Sequence, residues 1–299
     1  MKKIAIITDS SSNLNSELIN KYGVNDILPM HIYQGETKYD ANGDWIGLDA
    51  RDYFNNMRSG IRYTSSQILA KEYKESFEKF LSQDMDILSI SCTSALSASV
   101  KESYIARDEL KEKYKDNKIV CIDSANCTFS LAMLVMKACS LRDEGKTIEE
   151  IVSYIDEYKE YYNEVGTVDK LTYLRQAGRV SASAAFFAGI LSVKPIIVYD
   201  EVGHNLAVEK VKGRRNSFIK NAQYVKKYAD INESNKIYIA HGDCLDEAKE
   251  QADLIQEQFD EKLEFYFNYI EPGVASSTGP GTLIICFYGS PEMRRVYKK

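Results

Sequence analysis

Residues 86–123 read DILSISCTSALSASVKESYIARDELKEKYKDNKIVCID. A short run rich in β-branched and apolar residues stands at each end, Asp86–Ser91 (DILSIS) and Lys118–Asp123 (KIVCID), and such runs predict strands. Between them, Leu96–Lys113 carries its apolar residues on one face, the period of an amphipathic helix. Working outward, Lys3–Thr8 (KIAIIT) and Asp26–Ile32 (DILPMHI) read as two further strands. Phe129–Leu141 is apolar nearly all round, so it is expected to be a buried helix. Strands that alternate with helices imply a mostly parallel sheet covered on both faces.

The segment from Thr147 to about Asn163 opens with a capping box, Thr147 and Glu150, and predicts a polar helix. A domain boundary is expected near its end, giving units 1–163 and 164–299. The second unit begins with a short segment at Gly166–Asp169. Its predicted strands are Lys194–Tyr199, Leu206–Val211, Lys236–Ala240, Leu263–Tyr269 and Leu283–Tyr288, with helices at Arg214–Tyr228 and Leu245–Phe259. The Asp200-Glu201-Val202-Gly203 turn joins two strands as a hairpin, so this second sheet is expected to be mixed. The fold class is therefore α/β, with two α/β domains and a cleft between them.

The bulk properties narrow the function. The chain has 299 residues, 44% hydrophobic and 27% charged, and a net charge of -6. An acidic balance with no arginine-rich stripe argues against nucleic acid as a partner, since phosphate neutralisation needs a basic surface. The apolar run at Ile4–Ile7 is too short for a secretion signal, and the longest apolar stretch, 184–193, falls short of the ~18 residues a membrane span needs. The six cysteines contain no CxxC pair. Together these features point to a reducing, cytoplasmic setting.

No phosphate loop, dinucleotide fingerprint or nucleophile elbow is present. His31, His204 and His241 stand apart, without metal-ligand spacing, and neither metal nor cofactor is expected. Four segments are rich in small hydroxyl side chains: Thr8–Ser12, Thr64–Gln67, Ser91–Ser97 and Ser276–Gly281. Three adjoin predicted strands, the place where open α/β sheets bind ligands. Ser, Thr and Asp are also the preferred helix caps, and capping is the favoured reading of Ser10–Ser12. Arg179 precedes the apolar run AAFFAGILSV, so it could anchor a carboxylate while that wall receives an alkyl chain.

The order of these motifs resembles the DegV family, bacterial two-domain fatty-acid-binding proteins. TDSSSNL (8–14) resembles the family's opening strand and turn, SSQ (65–67) its Thr-Ser-Gln, and LSAS (96–99) its Leu-Ser-Gly-Thr. VDKLTYLRQAGRVS (168–181) is similar to the family's most diagnostic segment. SVKPII (192–197), VKGRR (211–215) and STGPGT (277–282) follow in the family's order. The resemblance implies one long-chain fatty acid in a buried tunnel and no catalysis by this chain. Its carboxylate would be held by Thr64, Ser65, Ser66, Ser97, Arg179, Ser277 and Thr278, with Ser10, Ser99, Ser276 and Gly279 as further candidates. The resemblance also implies a fatty acid kinase as a partner that receives the ligand, and a transient contact with a membrane surface is open to the basic C-terminal tail. Ser277 replaces the family's histidine, Ala98-Ser99 its Gly-Thr, and Ala177 the first glycine of its Gly-Gly-Arg. Two alternatives use the same residues: a small polar anion binder, or a hydrolase or acyl transferase with Ser97 or Ser277 as nucleophile. A scaffold without ligand is a third.

Overall fold

The computed structural model describes residues 2–181 and 193–296. The apolar stretch 184–193 lies outside the described residues except for Val193.

The first sheet contains β1 (Ile4–Asp9), β2 (Asp26–Leu28), β6 (Asp86–Ser91) and β7 (Ile119–Asp123) in the order β2-β1-β6-β7. All of its neighbours run parallel, as the alternation of strands and helices requires. The 26–32 run is not one strand. It breaks at Pro29-Met30 into β2 and β3 (His31–Gln34), which belong to different sheets. Proline has no N–H to give to a ladder, so the chain turns there. β3 pairs antiparallel with β4 (Thr37–Asp40) and with β5 (Thr64–Ser66) in a small three-stranded sheet.

The last sheet is mixed, as the hairpin implied. It holds β8 (Tyr162–Thr167), β9 (Val193–Tyr199), β10 (Asn205–Lys212), β11 (Lys236–His241), β12 (Glu264–Tyr269) and β13 (Leu283–Tyr288). Their order is β10-β9-β8-β13-β11-β12, and β11 with β12 is the parallel pair. The polar helix ends sooner than its composition suggested, at Tyr158, and Tyr162–Thr167 is an interior strand of this sheet. Paired backbone outweighs the modest strand character of YNEVGT.

Among the described residues the helices are α1 (Ser16–Tyr22), α2 (Ala50–Arg58), α3 (Ala70–Leu81), α4 (Ser99–Leu110), α5 (Thr128–Asp143), α6 (Ile148–Tyr158), α7 (Thr172–Ala177), α8 (Arg214–Tyr228), α9 (Leu245–Gln256) and α10 (Pro272–Thr278). α5 packs against β1 on one side and against β8, β11 and β13 on the other. That position between two sheets is why its sequence is apolar in every direction. One continuous core joins Ile6 and Leu134 to Tyr199, Tyr238 and Cys286.

The chain's end departs from the solvated tail expected of GSPEMRRVYKK. Pro291–Arg295 forms a 3-10 turn in which Met293 and Arg294 are buried. No described helix is long and apolar enough to cross a membrane.

Candidate functional site

The turn after β1 is spent on structure. Asp9 is fully buried and caps the 3-10 turn Ser10–Ser12, accepting from the Ser11 N–H (3.1 Å), the Ser11 hydroxyl and the Cys92 N–H (2.8 Å). Ser10 Oγ donates to Glu271 Oε1 (3.0 Å) and accepts from the Met30 N–H (3.0 Å). Asn13, in the left-handed region (φ 62°), accepts from the Glu271 N–H (2.6 Å) and donates to the Tyr269 carbonyl (3.0 Å). These bonds fasten the turn after β1 to the β12–α10 junction, and so hold α10 in place.

In front of α10 lies a cavity of about 420 Å³, within the range of ~300–1,000 Å³ usual for small-molecule sites. All four hydroxyl segments meet there: Ser11 from the turn after β1, Ser65 and Ser66 from β5, Ser97 from the loop after β6, and Ser277 and Thr278 from α10. Arg179 lines it as well. Thr64 and Ser276 line the neighbouring cleft, which shares Ser65, Arg179 and Ser277 with the cavity. Ser10, Ser99 and Gly279 fall outside the lining. Ser10 is occupied as above, and Ser99 stands behind Ser97. Gly279 has φ +82°, and a Cβ there would come within 2.3 Å of the Tyr173 ring, so its role is to admit that ring.

The hydroxyls differ in what they have left to give. The hydroxyls of Ser65, Ser66 and Ser277 form no hydrogen bond with any described residue, their backbones alone being paired within β5 and α10. The protons of Ser276 and Thr278 go to the carbonyls of Gly273 (2.7 Å) and Val274 (3.2 Å) within α10. Ser99 Oγ accepts from the Ile68 N–H (3.2 Å) and lies 2.9 Å from Ser97 Oγ, which also accepts from the Ser99 N–H (3.3 Å). With Ser99 as donor, Ser97 has its acceptor sites filled and its own proton free for a ligand. Ser99 is thus a positioning residue.

Sequence reasoning missed the rest of the wall. Leu96, Leu174 and Val274 supply an apolar lining, and Gln67, Cys92 and Cys127 also face the cavity. Leu96, Leu174 and Val274 line a second, much smaller chamber of about 40 Å³ as well, which continues to Ile197 and Ile284 on the last sheet. The signal for the apolar members was ordinary core hydrophobicity, which does not mark a cavity, whereas Gln67 stood in the quoted SSQ motif.

The histidines are structural. His31 pairs with Asp40 (2.9 Å) and Glu72 (2.8 Å), and His204 with Asp200 (2.8 Å). His241 is buried against Tyr269, and burial lowers its pKa to about 4, which leaves Nδ1 to accept from the Cys244 N–H (3.4 Å). No cluster of metal-binding side chains exists among the described residues.

Burial raises Glu164 and Glu271 from an ordinary 4.5 to about 7. Between those two values the folded chain keeps protons that the unfolded chain has released, so each carboxyl makes stability fall as pH rises. The effect is on the order of 3 kcal/mol per carboxyl across the window. His241 opposes one of them, since its folded form stays neutral between about 4 and 6.5 while the unfolded form is charged. Asp9, also raised by burial, adds to the fall. The urea midpoint is therefore expected to be higher at pH 5.5 than at pH 7.5, and Glu271→Gln should shrink that difference. A midpoint that rises across this range in the wild-type chain contradicts the assignment.

The arrangement is that of an α/β protein with a hydroxyl-lined cavity adjoining a smaller chamber, the two sharing Leu96, Leu174 and Val274. The family described as "Uncharacterised protein, DegV family" matches residues 3–290. The chain belongs to the DegV family. A DegV domain-containing protein of Clostridium perfringens is 34% identical over 294 residues, 98% of this chain and 99% of that one. Among solved structures, a stearic acid-binding protein from Eubacterium ventriosum is 26% identical, with a TM-score of 0.85 over 98% of this chain and 99% of that one. DegV of Bacillus subtilis, described as a fatty acid binding protein, has a TM-score of 0.82 at 21% identity over 97% of this chain and 100% of that one. It shares the fold.

Proposed function

We propose that this chain binds one long-chain fatty acid, its carboxylate held at the mouth by Ser65, Ser66, Ser97, Ser277 and Arg179 and its alkyl chain running into the inner chamber. The observation that carries this reading is the order of the lining: unpaired hydroxyls outside, then Leu96, Leu174 and Val274 shared by both cavities. Burying an alkyl chain yields ~0.8 kcal/mol per CH₂, so a C16 chain gains on the order of 10 kcal/mol before entropic costs. A carboxylate taken out of water without partners would erase much of that gain. Several hydroxyl donors and a guanidinium offset it, and no nucleophile–base pair is needed.

The cleft beside the mouth supports transfer of the ligand to a fatty acid kinase. Arg58, Arg62, Lys170 and Arg179 line it, and no acidic residue is among its described lining. Such a surface suits an acidic or phosphate-bearing partner. On this reading the expected units 1–163 and 164–299 meet within β8 (Tyr162–Thr167), and their junction forms the carrier.

Native mass spectrometry of the purified protein, with extraction and identification of lipid, tests the proposal. A stoichiometric fatty acid is expected. Protein without lipid that also refuses added palmitate overturns it. Ser97→Ala should weaken palmitate binding by roughly tenfold to a hundredfold, the loss of one hydrogen bond to a charged group. Ser276→Ala, whose proton is already spent inside α10, should leave binding nearly unchanged.

A further inference from the structure

Past Leu96 and Val274 the inner chamber stops being apolar. Thr128, Glu164, Thr167 and Tyr199 all line it. Glu164 sits on β8 with only 7% of its surface exposed. Thr128 Oγ1 (2.5 Å) and the Tyr199 hydroxyl (2.8 Å) both donate to its Oε2. These two bonds fix the carboxyl, while Oε1 takes no hydrogen bond from any described residue. Thr167 Oγ1 is likewise buried without a partner. Thr128 is held with φ 50°, an uncommon conformation for a β-branched residue. A hydrocarbon tail laid against Glu164 would leave its Oε1 dry and unpaired, at ~1–3 kcal/mol for a buried polar group.

We propose that the inner chamber selects acyl chains bearing a hydroxyl group in their distal part, with Glu164 as the specificity-determining residue. This rests on the fatty acid carrier reading and deepens it. A hydroxyl both donates and accepts, so it satisfies Glu164 Oε1 whether the carboxyl is ionised or protonated. That matters because burial brings this carboxyl to about 7, where both forms are populated at neutral pH. An ammonium group would match only the ionised form, and a methyl terminus neither. Specificity then comes from the penalty for leaving a buried polar group unpaired, which discriminates far more sharply than one methylene more or less.

The test is direct binding to delipidated full-length protein with matched pairs: palmitic acid against ω-hydroxypalmitic acid, and oleic acid against ricinoleic acid. At least one hydroxylated acid is expected to bind about tenfold more tightly than its parent, equivalent to about 1.4 kcal/mol. Glu164→Leu should remove or invert that preference by favouring the parent acid. Glu164→Gln, which keeps an acceptor for Thr128 and Tyr199, guards against a folding defect in the leucine variant and should retain the hydroxyl preference in reduced form. If the parent acids bind as tightly as their hydroxylated partners in the wild-type chain, the inference falls and the carrier reading stands. If none of the four acids binds, both fall.

Discussion

Leu96→Trp is expected to abolish fatty acid uptake while leaving the fold intact. Leu96 lines both the outer cavity and the inner chamber, so its side chain stands where an alkyl chain must pass. It lies in the loop after β6, half-buried, with its N–H bonded to the Thr93 carbonyl (3.1 Å) and its carbonyl accepting from Arg179 Nε (3.4 Å). On the Leu96 side both bonds use backbone atoms, so they survive the substitution. Overpacking usually costs ~1–3 kcal/mol in a tight core, and less where the extra volume enters a cavity. Loss of the passage, by contrast, removes most of the chain burial. Palmitate affinity should fall at least a hundredfold, about 2.7 kcal/mol, with a melting temperature close to that of the wild-type chain. Undiminished uptake by Leu96→Trp would mean that the alkyl chain takes another path.

Arg294→Met is expected to have the largest effect on stability. The Arg294 side chain is 2% exposed and donates to the Ala125 carbonyl (2.9 Å), Asn126 Oδ1 (2.6 Å) and the Tyr162 carbonyl (2.7 Å). Its guanidinium also lies 5.4 Å from the centre of the Tyr199 ring. Methionine fills similar volume but donates nothing, which orphans three buried acceptors at ~1–3 kcal/mol each. A loss of about 3–5 kcal/mol follows from these orphaned acceptors. For a chain of this size that lowers the melting temperature by roughly 10 °C. The turn anchored by Arg294 immediately precedes Cys127 and Thr128 in the ligand wall, so retained binding should weaken alongside stability. A change of less than 1 kcal/mol in urea unfolding would show that water replaces the guanidinium without penalty.

The framework was legible because it is local. The strand–helix–strand of 86–123, the Asp200–Gly203 hairpin and the all-apolar α5 each follow from periodicity within a few turns of chain, and the structure has all three. Local pattern failed where pairing decided. Pro29 split one apolar run between two sheets, and YNEVGT became an interior strand because neighbours on both sides satisfy its backbone. The hydroxyl segments were also visible, but sequence treats every serine alike. Ser10, Ser97, Ser276 and Ser277 have the same chemistry and opposite availability, set by whether Glu271, Ser99 or a helix carbonyl lies within reach.

By itself the sequence determined the α/β class, the two-part organisation of strands and helices, and membership in a family through ordered motifs. Only the tertiary structure decided which hydroxyls remain free, where the cavity runs, and that Glu164 and Arg294 are interior. The physical reason is range. Periodicity and turn chemistry act over a few residues, whereas a site joins β5, the loop after β6 and α10 across more than half the chain. Its hydrogen-bond ledger is settled by strand register and packing, and a one-dimensional pattern does not contain them.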